Sequence, residues 1–163
     1  MRILPPAGDT DRTWLARLWL AEWGGETMIT KGRVHRVDDM EALMAWDDDA
    51  TAGAPGGAAT FRLDEDGGCE LMSLNALVEG RGAGSALLAA VEEVARRAGC
   101  RRVWLITSND NLDALRFYQR RGYRLAALYS GAVDEARKTK PTIPVVGEYG
   151  IPLHDEIELQ KML

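Results

Sequence analysis

Residues 78 to 88 read Val-Glu-Gly-Arg-Gly-Ala-Gly-Ser-Ala-Leu-Leu, a glycine-dense turn between an apolar run and a helix-periodic one. Gly80, Gly82 and Gly84 allow the backbone to approach a ligand without interference from Cβ. The first N–H groups of the helix that follows have no internal partners and point outward. The helix dipole adds to their attraction for anions, so the turn reads as a cradle for a phosphate or pyrophosphate. Two familiar phosphate-binding patterns fail on spacing. A dinucleotide fingerprint, G-x-G-x-x-G, starting at Gly80 or Gly82 would need glycine or alanine at Ser85 or Leu87. A P-loop would need Gly-Lys, and no lysine lies between Lys31 and Lys138.

A second stretch, residues 109 to 123, reads Asn-Asp-Asn-Leu-Asp-Ala-Leu-Arg-Phe-Tyr-Gln-Arg-Arg-Gly-Tyr. The two stretches together resemble the signatures of the GCN5-related N-acetyltransferases, the GNAT superfamily. The acyl-CoA-binding pattern Q/R-x-x-G-x-G/A falls on Glu79, Gly80, Arg81, Gly82, Ala83 and Gly84, with Glu79 departing from the favoured glutamine or arginine. The pattern N-x-x-A-x-x-F-Y-x-x-x-G-F/Y is filled by Asn111, Ala114, Phe117, Tyr118, Gly122 and Tyr123. One helix and one strand separate them, as in that family.

The bounding facts agree. A chain of 163 residues, read as a single domain over 1–163, can bury a sizeable core. With 46% apolar and 28% charged residues the composition is that of a folded protein. No apolar run approaches the roughly 18 residues of a membrane span. The first residues lack the basic start and apolar stretch of a secretory leader, so a cytoplasmic location and no membrane partner are expected. Cys69 and Cys100 show no metal-ligand spacing and read as reduced and buried; no metal is expected. The net charge of −5, from 25 acids and 20 bases, argues against nucleic acid. Arginines crowd residues 81–124, which suits a polyphosphate cofactor, although most of them read as solvated helix faces. Acids dominate 38–70 and 154–158, which suits a cationic amine.

Along the chain, Arg2 to Leu4 is a short strand. Trp14, Leu15, Leu18, Trp19 and Trp23 mark an amphipathic helix stopped by Gly24 and Gly25. Apolar runs at 41–46, 58–63 and 69–77 read as three antiparallel strands, joined by turns at Asp47–Gly57 and Asp64–Gly68. Asp47, Asp48 and Asp49 read as a solvated turn, because a calcium loop would need a glycine and a distal glutamate. Leu87, Leu88, Val91, Val94, Ala95 and Ala98 give the helix after the glycine turn one apolar stripe, ended by Gly99. Val103 to Ile106 reads as a strand buried on both faces. Asn111 caps the next helix, which ends at Gly122. Strands follow at 123–129 and 155–163. The connection 130–154, with Pro141, Pro144 and Pro152, reads as an ordered flap given to the substrate side.

The resemblance implies an α+β, three-layer fold. Its central sheet is mixed, mostly antiparallel and of about seven strands, with helices on both faces and a splayed fourth and fifth strand pair at 69–77 and 102–107. Acetyl-CoA is then the cosubstrate. Backbone groups around Leu77 and Val78 would pair with its pantetheine arm, and the turn from Gly80 to Ser85 would hold its pyrophosphate. Tyr118 is the expected general acid for the departing thiolate. Helical spacing puts Asn111, Ala114 (or Leu115) and Tyr118 on one face, with Asn111 free to hydrogen-bond the cofactor and Ala114 leaving it room. Phe117 and Tyr123 are packing residues. Glu70, on the fourth strand, is the expected base, and His35 and His154 are the alternatives. The acceptor is an amine of a small molecule or peptide. A different class of function, a CoA-binding sensor without catalysis, stays open, as does a homodimer through the last strands or the tryptophan helix.

Overall fold

The computed structural model describes residues 1–47, 53–78 and 80–163. Asp48 and Asp49 of the expected acidic turn, and Glu79 of the glycine turn, lie outside them. Strand β1 (Arg2–Leu4) leads into helix α1 (Asp9–Trp23). A hairpin of β2 (Thr27–Thr30) and β3 (Arg33–Arg36) follows, then β4 (Glu41–Trp46), β5 (Gly57–Leu63) and β6 (Gly68–Ala76). Helix α2 (Ala83–Arg97) crosses to β7 (Arg102–Ser108), and α3 (Leu112–Gln119) precedes β8 (Arg124–Tyr129). Helix α4 (Ala132–Thr139) and β9 (Glu156–Met162) complete the chain.

Among the described residues, seven strands form one sheet in the order β1-β4-β5-β6-β7-β9-β8. All neighbours are antiparallel except β6 and β7, so the expected mixed, mostly antiparallel sheet is what forms. The expected strands at 41–46, 58–63 and 69–77 match β4, β5 and β6 to within one residue at each end.

Alternation along these strands divides the core in two. Leu43, Ala45, Ala59, Phe61, Cys69 and Leu71 face α2, whose Leu87, Leu88, Val91 and Ala95 recur at helical spacing and are buried. Ala42, Met44, Ala58 and Met72 face the other way, onto Leu15, Leu18 and Trp19 of α1. With both faces covered, the central strands are near-continuous apolar runs instead of alternating ones.

Two elements differ from the expectation. The β2–β3 hairpin stands apart from the main sheet as its own two-stranded unit. Its turn, Lys31-Gly32, has both residues at positive φ (51° and 72°), the mirror-image turn that suits strand twist. A lysine there gives no turn signal in sequence. Helix α4 lies inside the proline-rich connection. Its acids Asp134 and Glu135 sit in the first turn and Arg137 and Lys138 in the last, as its dipole favours. All three prolines of the connection fall after it.

The cysteines are free, but only Cys69 is fully buried; Cys100 is half-buried, its Sγ donating to the Gly68 carbonyl at 3.4 Å. Burial pushes the Cys69 thiol up to about 12, and it raises Cys100 as well. The thiolate is the reactive form. In folded protein at mildly alkaline pH, an alkylating reagent therefore modifies Cys100 and spares Cys69, and both react after unfolding. Peptide mass spectrometry reads the difference; equal native rates would contradict the packing of β6.

Candidate active site

The parallel pairing of β6 with β7 covers only Gly68, Cys69 and Glu70 against Arg102, Val103 and Trp104. Beyond that point β6 runs on to Ala76 and β7 to Ser108 without pairing to each other. Each is held on its outer side, β6 by β5 and β7 by β9 through seven residue pairs from Arg102↔Met162 to Ser108↔Glu156. The result is the expected splay, and it opens into a cleft of about 730 Å³. Leu71 to Leu74 line one side and Leu105 to Ser108 the other.

Helix α3 forms a wall of this cleft. Asn111 caps it, its Oδ1 accepting from the Ala114 N–H at 3.1 Å. That oxygen is therefore committed to the helix, and the side-chain amide is the part of Asn111 left for a ligand. The cap fixes the helical phase, so Asn111, Ala114 and Tyr118 all line the cleft, as their spacing predicts. Tyr118 is 8% exposed and packs edge-on against Phe117 and Tyr123, at centroid distances of 5.1 and 5.5 Å. Its hydroxyl has no hydrogen-bond partner among the described residues. Burial raises its pKa well above the usual tyrosine range, with Arg121 pulling weakly the other way.

The glycine turn lies at the start of α2. Gly80 and Gly82 both have φ of 77°, a left-handed conformation that only glycine adopts without strain, and Gly82 caps the helix. Ala83, Gly84 and Ser85 open the helix, and its first internal bond runs from the Ala86 N–H to the Gly82 carbonyl at 3.0 Å. Gly84 packs over the Phe117 ring. Arg121 donates to the Ser85 hydroxyl at 2.6 and 3.2 Å and lies 3.6 Å above the Phe117 ring. It brings positive charge to the turn. Arg81 is exposed and pairs with Asp47. Leu77 and Val78 are half-exposed at the end of β6, and the Leu77 N–H is taken by the Gly56 carbonyl at 2.9 Å.

The 130–154 connection closes the far side and is densely tied. Arg137 donates to the carbonyls of Ile143, Pro144 and Leu153 at 2.8–3.1 Å. Lys140 Nζ donates to the carbonyls of Trp23 and Thr27 at 2.8 and 2.7 Å, joining this segment to the end of α1 and the start of β2. Asp110, 5% exposed, accepts from the Ser108 hydroxyl and from the Glu148 N–H. Gly147 passes so close that a Cβ there would collide with the Asp110 carboxylate.

The expected base is not in this cleft. Glu70, 1% exposed, is held by Arg62 at 2.6 and 2.7 Å and accepts from the Thr30 hydroxyl at 3.2 Å. Burial raises its pKa and Arg62 opposes the rise. It lines a separate charged cavity of about 620 Å³ with His35, Arg62, Asp64 and Trp104. His35 is buried there, its Nε2 3.0 Å from Thr30 Oγ1; burial, with Arg62 and Arg33 nearby, lowers its pKa. His154 is exposed and paired with Asp134. Among the described residues, the acid-rich stretch 38–70 contributes nothing to the first cleft. Its acids are instead Glu22, Asp110, Glu148 and Glu156, with Lys140 as the cation. Sequence reasoning noted the acids of 154–158 only as a charged region; period-2 alternation on the last strand marks Glu156 and Glu158 as sharing a face but does not say what that face meets. Among the described residues, no cluster of three or more His, Cys, Asp or Glu is disposed to hold a metal, and no helix is long and apolar enough to cross a membrane.

Residues 10–123 match the profile of the acetyltransferase (GNAT) family. The uncharacterized protein YdhI of Bacillus subtilis (strain 168) is 38% identical over 163 residues, covering 100% of this chain and 99% of that protein. Two solved structures share the fold. A Bacillus subtilis acetyltransferase in complex with CoA superposes with a TM-score of 0.71 at 18% identity, over 99% of this chain and 98% of its own. A GNAT family acetyltransferase from Elizabethkingia anophelis with acetyl-CoA bound gives 0.73 at 18% identity, over 99% and 97%.

The contact between Gly147 and Asp110 yields a direct test. Gly147→Ala lowers stability by about 1–3 kcal/mol, the usual cost of overpacking. The same substitution costs less when added to Asp110→Ala, because the colliding carboxylate is gone. Denaturant unfolding of the two single variants and the double variant measures this coupling; strict additivity would refute it.

Proposed function

The chain belongs to the acetyltransferase (GNAT) family, and from that premise we propose that it moves an acetyl group from acetyl-CoA to a primary amine by direct attack, with Tyr118 as the general acid. The observation that carries this reading is the junction of the unpaired edges of β6 and β7 with a tyrosine hydroxyl that has no protein partner among the described residues. Strand edges left without a ladder need hydrogen-bond partners. A pantetheine arm, with its amides, can supply them, entering between β6 and β7 near Leu77 and Val78. The N–H groups of Ala83, Gly84 and Ser85, at the positive end of α2, are suited to the pyrophosphate, and Arg121 adds charge beside them. CoA and acetyl-CoA in the two similar folds support this choice of cosubstrate.

The chemistry asks little covalent help of the protein. A neutral amine attacks the thioester carbonyl, the C–S bond breaks and the thiolate takes a proton. Burial keeps Tyr118 protonated throughout the neutral range. A thiolate forming against the buried Tyr118 hydroxyl is partly desolvated as well, which raises its proton affinity alongside that of the tyrosine. Ala114 leaves room at this point of the wall, and the tied 130–154 segment lines the acceptor side of the cleft.

Two measurements check this. Calorimetric titration gives binding of acetyl-CoA with NAD and ATP inert. Tyr118→Phe then keeps acetyl-CoA affinity within about twofold while turnover falls by about 10²-fold, the lower range for loss of a general acid. Unchanged turnover in that variant would remove Tyr118 from the chemistry, and an inert wild type that binds acetyl-CoA would favour a sensor.

A further inference from the structure

We propose that Glu156 is the carboxylate that receives the acceptor's ammonium and takes its proton, and that the acceptor is accordingly an aliphatic primary amine, charged at neutral pH; this rests on the acetyl-transfer reading above. Glu156 opens β9, in register with Ser108 of β7 and Tyr129 of β8. It is 4% exposed and lines the same cleft as Tyr118. One oxygen, Oε2, accepts the Lys31 N–H at 3.0 Å, so the tip of the β2–β3 hairpin fixes the carboxylate's position. The other oxygen has no partner among the described residues.

Among the described residues, no cation forms an ion pair with Glu156. The Lys31 contact comes from a neutral peptide N–H. The Lys31 ammonium goes instead to Glu158 at 3.1 Å and lies 5.1 Å from the ring centroids of both Trp104 and Tyr129. The Tyr129 hydroxyl also donates to Glu158, at 3.0 Å, and Arg102 approaches the other Glu158 oxygen at 3.7 Å. The remaining acids of the cleft are poorer candidates. Both Asp110 oxygens are occupied, and Glu22 and Glu148 are exposed at the rim. Glu70, in the other cavity, is neutralised by Arg62. Burial raises the Glu156 pKa, with Lys31 opposing, which moves its basicity toward the neutral range.

The protons balance. Of the ammonium's three, one goes to Glu156, one stays on the amide, and one passes through water to the Tyr118 oxygen. The proton of Tyr118 has gone to sulfur as the C–S bond breaks. Glu156 then loses its proton to solvent.

The test compares wild type, Glu156→Gln, Glu156→Asp and Glu70→Gln by thiol release from acetyl-CoA, with a series of alkylamines, from neutral to alkaline pH. Glutamine keeps the acceptor for the Lys31 N–H but cannot take a proton. Glu156→Gln is expected to lose about 10²-fold in kcat/KM at neutral pH and to recover as alkali deprotonates the free amine. Glu156→Asp retains part of the activity, Glu70→Gln keeps the wild-type pH profile, and acetyl-CoA affinity stays within about twofold in all. A pH-independent loss in Glu156→Gln, or a profile moved by Glu70→Gln, overturns the assignment. So does a wild type that binds acetyl-CoA but turns over no alkylamine. A wild type that does not bind acetyl-CoA overturns the acetyl-transfer reading itself.

Discussion

Everything in this molecule depends on the brevity of one strand pairing. Strands β6 and β7 hold each other through three residue pairs and then part. The sheet survives because each is secured on its outer edge, by β5 and by β9. A break at the edge of a sheet would expose a terminal strand; a break in the middle makes a slot with two walls of unpaired peptide groups. Leaving such groups dry and unpaired costs about 1–3 kcal/mol each. The slot is stable only wet or filled. Helix α2 starts close to the end of β6 that borders this opening, and α3 walls it, so the opening gathers helix-borne groups around it.

Much of this was legible in sequence, for local reasons. Gly80, Gly82 and Gly84 announced a backbone that can come close to a ligand because glycine carries no Cβ, and Asn111 announced a cap because its side-chain oxygen can accept from a helix N–H that lacks an internal partner. The spacing of Asn111, Ala114 and Tyr118 placed them on one wall without knowledge of any contact. The hairpin at 27–36 was hidden because a lysine occupies a position where glycine or asparagine would have signalled the turn. Helix α4 was hidden by the prolines that follow it. Choosing between Glu70 and Glu156 was beyond sequence altogether. Both are buried carboxylates on inner strands, and what separates them is which cavity each lines and whether an arginine from the neighbouring strand is within 3 Å. That is a tertiary fact.

The charge of the cleft follows the same logic. Of the acids concentrated in residues 38–70, Asp64, Glu65, Asp66 and Glu70 line a second cavity, where Arg62 and Asp64 form a network with Glu70 and the Trp104 indole N–H. The cleft draws its described acids from separate parts of the chain, one each from α1, the segment before α3, the 130–154 connection and β9. Composition along the chain locates charge; only the fold decides which charges share a solvent space.

The attachment of the 130–154 segment has a consequence for how such a protein can change over time. Lys140 grips the carbonyls of Trp23 and Thr27, and Arg137 grips those of Ile143, Pro144 and Leu153. These anchors read main chain, which every residue carries. Side chains at 23, 28, 143 and 144, which all line the cleft, can be exchanged without removing a carbonyl that these anchors use. The walls of the acceptor side can thus be repainted while the frame stays bolted, so new selectivity can arise by drift at these positions with the anchoring bonds kept.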